Sequence, residues 1–292
     1  MVNLREKRKL KRALILLRDE FIYGGHVLAL GAISIVFTSS VLLKIRLTWE
    51  FLIVVYLGVY LVYLYDHYRG LDKDLLTNSE RVQYLKRYIK YIPLIIFLCI
   101  SIIIGIQLYL NKIEALLASL IMLSLGLFYS PYLKRLTRTI VGFKNFLAPL
   151  LWTSLVILLV IFYSITPSLS LFLILSFVCI RIFIGISFSD IKDIESDRKE
   201  GLQTFAIIFG KNKTLLFLSI LNAIALLPIF FGFYLRLFPP SSLMLTFTSV
   251  YAFYYIKRSQ DPKINLRTLT HKVVYCENLW WSILILIGEF LL

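Results

Sequence analysis

Long apolar runs broken by short charged segments set the pattern of this chain. Nine such runs stand out, at about 26–44, 49–65, 91–110, 113–130, 146–164, 168–188, 214–235, 241–256 and 276–292. Roughly 20 apolar residues span the hydrocarbon of a bilayer as a helix, so these runs have the length of membrane crossings, the eighth being short. They are continuous and not alternating over about ten residues, which excludes an outer-membrane barrel. The pattern predicts an all-α polytopic membrane protein with nine transmembrane helices.

Composition agrees. Of the 292 residues, 59% are hydrophobic and 15% aromatic, and the mean hydropathy is +0.80. A soluble domain carries an apolar fraction nearer about 45–50% with more charge. The three cysteines, Cys99, Cys179 and Cys276, fall in or at the edge of apolar runs without any Cys-His spacing, so neither disulfides nor zinc are indicated.

The charges give an orientation. Lys and Arg accumulate in cytoplasmic loops, and 27 of the 32 lie in the N-terminal tail and in the loops 66–90, 131–145, 189–213 and 257–275, all on one side of a nine-span topology. The N-terminus is therefore expected in the cytoplasm and the C-terminus outside. The net charge of +15 follows from this asymmetry and from attraction to anionic membrane lipids, so no nucleic-acid partner is expected. The basic segment 1–25 has no small-residue cleavage pattern and reads as an interfacial helix, not a removed signal.

The acidic residues are concentrated. Eight of the 17 fall in the windows 66–74 and 190–200, each at the end of an apolar run. Asp66 and Asp190 are 124 residues apart and Asp74 and Asp197 are 123 apart; Lys134 and Lys257, which follow the fourth and eighth runs, are also 123 apart. The simplest account is one domain over 1–292, built from two four-helix pseudo-repeats, about 26–145 and 146–275, plus a terminal helix. With an even number of spans in each half, both acidic clusters face the cytoplasm across one cavity.

Asp190, Asp193 and Asp197 are spaced i, i+3, i+7, one stripe of a continuing helix, and Asp66 and Asp74 are spaced i, i+8. Carboxylates stacked this closely either rise in pKa or bind a cation. Oxygen-only ligands point to a hard ion, and Mg²⁺ characteristically combines one or two carboxylates with phosphate oxygens and water. Two facing carboxylate sets with Lys and Arg nearby suggest a diphosphate clamped by Mg²⁺. The plainer reading is that both clusters are solvated helix ends, paired with Lys73, Lys192, Arg198 and Lys199; the duplicated placement argues against it.

The segment Ser189 to Gly210, SDIKDIESDRKEGLQTFAIIFG, resembles the second aspartate motif of the UbiA superfamily of intramembrane prenyltransferases, including the trailing Arg-Lys-x-Gly-x-x-Thr. Tyr129-Ser130-Pro131-Tyr132-Leu133-Lys134-Arg135, followed by Lys144-Asn145 and Trp152-Thr153, is similar to that family's loop after the fourth helix. Nine helices in two halves also match, so the resemblance covers nearly the whole chain. The first motif departs from pattern: where the family has three acidic or amide positions four apart, this chain has Asp66, Gly70 and Asp74. Asp72 is a possible substitute ligand if the helix unwinds at Gly70.

The resemblance implies Mg²⁺ held by Asp66, Asp74, Asp190, Asp193 and Asp197 as catalytic and metal-binding residues. It also implies an isoprenyl diphosphate whose leaving group is neutralised by Lys134, Arg135, Lys144 and Arg198. Ionisation gives an allylic cation, stabilised by Tyr and Phe faces, that a lipophilic acceptor attacks. Arg181, inside the sixth run, is costly in a membrane and is expected at the diphosphate or at an acceptor anion. His67 is read as a loop histidine. A terpene cyclase, a secondary transporter and a catalytically silent member stay open as alternatives.

Overall fold

The structure is a computed structural model that describes residues 6, 18–21, 23–71, 79–129 and 132–291. Asp72 and Asp74 lie outside the described residues, as do Ser130 and Pro131. Every regular element among the described residues is helical. Six helical stretches are long and apolar enough to cross a membrane: Trp49–Arg69, Ile89–Tyr109, Phe143–Phe162, Leu169–Lys192, Phe205–Tyr234 and Leu266–Leu291. His26–Leu42 and Ile113–Tyr129 are shorter apolar helices of 17 residues each. The run 241–256, expected as the eighth span, is divided. It forms a 3₁₀ stretch, Pro240–Thr246, and then an α-helix, Phe247–Arg258.

Two expected helices are interrupted. The expected span 214–235 breaks after Ile224, and a new segment, Leu227–Tyr234, starts around Pro228; ahead of the span, Phe205–Ile224 also bends where Gly210 takes φ 75°, ψ 165°, a conformation outside the helical region. The helix Leu169–Lys192 stops at Asp193 (φ −103°, ψ 7°), and a six-residue helix, Ile194–Lys199, follows. The single stripe expected for Asp190, Asp193 and Asp197 is therefore broken at its middle member.

Four helices end in the same way. Lys44, Asn111, Ser164 and Arg236 all have φ between 53° and 57°. Around each, the next N–H reaches five residues back (Ile45 to Ser40, Lys112 to Gln107, Ile165 to Val160, Leu237 to Gly232), and the residue itself donates three residues back. This is the Schellman arrangement, which satisfies carbonyls that a helix end leaves without partners, here without the usual glycine. The four turns gather at one end of the bundle. Tyr163 Oη accepts from Thr48 N at 2.8 Å, and Leu43, Ile45, Leu110 and Tyr163 share one apolar cluster while Leu43, Ile165 and Leu237 share another.

Burial concentrates on three helices that pack on one another, His26–Leu42, Phe143–Phe162 and Leu169–Lys192. Trp281 and Phe177, both fully buried, meet with ring centroids 5.1 Å apart. The last helix, Glu277–Leu291, also packs on the first; Ser282 N donates to Ser34 Oγ at 2.9 Å. Asp66, Tyr129, Lys144 and Asp190 all lie at helix ends opposite the four turns.

Candidate active site

Lys144 is the centre of the second acidic cluster. Its Nζ lies 2.5 Å from Asp190 Oδ1 and 3.9 Å from Asp197 Oδ2. Asn145, fully buried, donates to Asp190 Oδ2 at 2.7 Å and to Ser187 Oγ at 3.0 Å, while its Oδ1 accepts from Phe205 N at 3.4 Å. Both oxygens of Asp190, which is 1% exposed, are thus committed to one two-residue segment. The segment is set by Gly142 (φ 68°), which begins the helix Phe143–Phe162 and donates to Gln203 O at 2.7 Å. A Cβ there would come within 2.6 Å of the Phe205 ring, so only glycine fits both the backbone and the space. Gln203 in turn donates from N to Thr137 O and from Nε2 to Arg138 O, both at 2.8 Å. The loop after the fourth helix is strapped in this way to the loop after Asp197.

Asp197 is 5% exposed and its Oδ2 makes no hydrogen bond to any described residue. Burial pushes its carboxyl up to about 6; Asp190 and Asp193 push the same way, and Lys144 and Lys134 pull against them. Asp193 turns from the centre and pairs with the adjacent Lys192 at 2.5 Å. Lys134 sits 3.6 Å from Glu200, and Arg135 and Arg198 are exposed.

Asp66 opens the first motif. Its helix, Trp49–Arg69, stops at Gly70, whose N–H caps back to Asp66 O at 2.9 Å; Asp74, expected on the same face, lies outside the described residues. The Asp66 side chain closes one end of a cavity of about 160 Å³ whose remaining walls are mostly apolar, among them Val54, Val55, Leu123, Leu151 and Leu155, with Tyr63, Trp152 and Tyr129. The phenol of Tyr129 is within electrostatic reach of Asp66, Asp190, Asp197 and Lys144 together. Tyr129 thus lines the cavity and also lies near both acidic clusters, a place that the sequence did not reveal.

Two expectations need correction. Arg181 does not reach toward an anion in the cavity. It is 1% exposed, pairs with Glu277 through Nε at 3.0 Å and through Nη2, and also donates to Asn222 Oδ1 and to Thr248 O at 2.8 Å. Tyr255 Oη completes the set by donating to Glu277 Oε2 at 2.9 Å. His67 is not in a loop either; it is buried in the helix Trp49–Arg69, with Nε2 3.1 Å from Arg81 Nη1.

Among the described residues no three His, Cys, Asp or Glu side chains converge closely enough to hold a metal by themselves. The chemistry of the donors nonetheless fits Mg²⁺: they are all oxygen, and Asp197 Oδ2 is a buried carboxylate oxygen that accepts no hydrogen bond from any described residue. Mg²⁺ needs only one or two protein carboxylates when phosphate oxygens and water complete its shell.

Solved structures share this architecture. A UbiA homologue from Aeropyrum pernix K1, in its apo form, aligns with a TM-score of 0.65 over 90% of this chain and 96% of its own, at 15% identity. A membrane digeranylgeranylglyceryl phosphate synthase aligns with a TM-score of 0.62 over 95% of this chain and 99% of its own, also at 15% identity. No curated protein sequence matches. The sequence model of the UbiA prenyltransferase family spans residues 29–283, taking in both acidic clusters, the strapped loops and the cavity between them. This multi-pass membrane protein belongs to the UbiA prenyltransferase family.

Proposed function

We propose that the protein transfers an isoprenyl group from an isoprenyl diphosphate to a lipophilic acceptor inside the membrane, with Mg²⁺ as cofactor. The observation that carries this reading is the cavity: an apolar channel with Asp66 and Tyr129 at one end, next to Asp190, Asp197 and Lys144. Such a space suits a molecule with a long apolar tail and a small, highly charged head. Asp66, Asp190 and Asp197 would hold Mg²⁺ with the diphosphate, joined by Asp74 and, at the edge, Asp193. Bound there, Mg²⁺ supplies positive charge to the leaving diphosphate.

The chain's own groups do the rest. Lys134, Arg135 and Arg198 line the exposed edge of the cluster and neutralise diphosphate as it departs. Tyr63, Trp152 and Tyr129 present aromatic faces and edges to the cavity, which favours positive charge developing on the allylic carbon. The apolar walls exclude water that would otherwise capture the cation. Arg181 is left out of this set because its donors are committed to Glu277, Asn222 and Thr248.

The basic loops support a cytoplasmic site and N-terminus with the C-terminus outside. The four matching helix turns, two in each half, support the division into pseudo-repeats at about 26–145 and 146–275 plus a terminal helix.

The test is diphosphate release by the purified protein with geranylgeranyl diphosphate, Mg²⁺ and a membrane-lipid extract as acceptor pool. Release that needs Mg²⁺ and vanishes in Asp190→Asn is the expected result. Release with a cyclised product and no acceptor would identify a terpene cyclase, and absence of release across chain lengths would reject prenyl transfer.

A further inference from the structure

Asp190 and Asp197 are 1% and 5% exposed and share one pocket, so two negative charges are held there against both burial and mutual repulsion. The cation that answers them belongs to the chain. Lys144 Nζ stands 2.5 Å from Asp190 Oδ1 and 3.9 Å from Asp197 Oδ2, and its side chain is 18% exposed. Lys144 lies in the first turn of the helix Phe143–Phe162, where the helix dipole disfavours a positive charge, so the helix itself gives no reason for a lysine there. Asn145 holds the other oxygen of Asp190 at 2.7 Å and so aims Oδ1 at the ammonium. A metal ion that took Asp190 as ligand would have to displace Lys144.

We propose that Lys144 is a built-in cation of the second acidic cluster: its ammonium takes the position between Asp190 and Asp197 that a divalent ion would otherwise fill. The cluster then stays assembled without metal, and metal entering from solution competes with a tethered charge. This rests on the reading above that the cluster is the cation end of a diphosphate site. Its test contains no isoprenyl diphosphate, so a failure of prenyl transfer and a failure of this inference are read separately.

The full-length protein in detergent would be compared with Lys144→Met, which keeps the methylene stem and removes the charge, by thermal midpoint in EDTA and in Mg²⁺ and by Mn²⁺ binding followed by electron paramagnetic resonance. The wild-type midpoint should be the same in both buffers. K144M should fall by about 5 °C or more in EDTA, recover in Mg²⁺, and bind Mn²⁺ at least about tenfold more tightly than wild type. A wild-type midpoint as metal-dependent as that of K144M, or equal Mn²⁺ affinity in the two, would overturn the proposal. If K144M folds in neither buffer, the double variant Lys144→Met/Asp190→Asn decides: recovery in EDTA supports a charge role, and continued instability assigns Lys144 to packing alone.

Discussion

Arg181 and Glu277, 96 positions apart in the chain, meet in a fully buried ion pair that ties the sixth predicted span to the last. Removing one partner strands a charge in a low-dielectric interior, at a cost of about 3–5 kcal/mol, whereas replacing both with apolar groups of similar volume is often neutral. Glu277→Ala should therefore lower the thermal midpoint sharply, and Arg181→Met/Glu277→Leu should recover most of the loss. A double variant no more stable than Glu277→Ala would show that the pair matters for something other than charge balance.

The cavity makes a separate statement about donor length. Gly58 lines it, and a Cβ there meets Leu123 only at 3.8 Å, an ordinary contact. Gly58→Leu should fill part of the channel without moving the backbone. The expected outcome is a shift of kcat/KM from geranylgeranyl toward geranyl diphosphate by about tenfold or more, since each displaced methylene is worth roughly 0.8 kcal/mol. Unchanged chain-length preference would place the prenyl tail elsewhere.

Asp197 predicts a pH dependence in the metal-free protein. Its carboxyl titrates near 6 when folded, above the ordinary 3.8, so the native state holds the proton more tightly than the unfolded chain does. Its contribution is fully present below about pH 4 and is lost as pH rises through about 6, on the order of 3 kcal/mol in total. Thermal midpoints in EDTA at pH 5 and pH 7.5 should show this loss in the wild type and a smaller one in Asp197→Asn. Equal slopes in the two proteins would assign the dependence to other groups.

Ser164 occupies a left-handed backbone conformation, φ 54°, at an exposed helix end. An L side chain is disfavoured there by about 1 kcal/mol relative to glycine. Ser164→Gly should raise the midpoint by about 1–3 °C, and Ser164→Val, with a branched Cβ, should lower it. A fall on substitution by glycine would mean that the serine side chain makes a contact outweighing the strain.

Much of the site was legible because membrane proteins leave charge at an apolar boundary only for cause. Asp66, Asp190 and Asp197 could be found in this way, and so could the basic loops around them. What could not be read was pairing. Lys144 reaches Asp190 across 46 positions only because Gly142 and Gln203 strap two loops together, and neither residue announces a partner. The break at Asp193 was hidden because Asp-Ile-Lys-Asp-Ile-Glu carries neither glycine nor proline, so local preference reads through it. Arg181 was visible as a costly charge, but its answer, Glu277, lies at the start of another apolar run. Asn145 did leave a trace: an amide opening an apolar segment and fully buried there is accounted for only when its donors are assigned.

The four Schellman turns give the molecule two unlike ends. At Lys44, Asn111, Ser164 and Arg236 every helix stop is closed by hydrogen bonds spanning at most six residues, so each turn is encoded by its own short stretch of sequence. At the opposite end the order is borrowed: Gly142 leans on Gln203, Lys144 on Asp190, and neither position keeps its shape alone. Damage to one turn should stay local, while damage to one strap should spread through the whole charged face. Evolution can thus vary the chemistry at one end while the other continues to define the same scaffold.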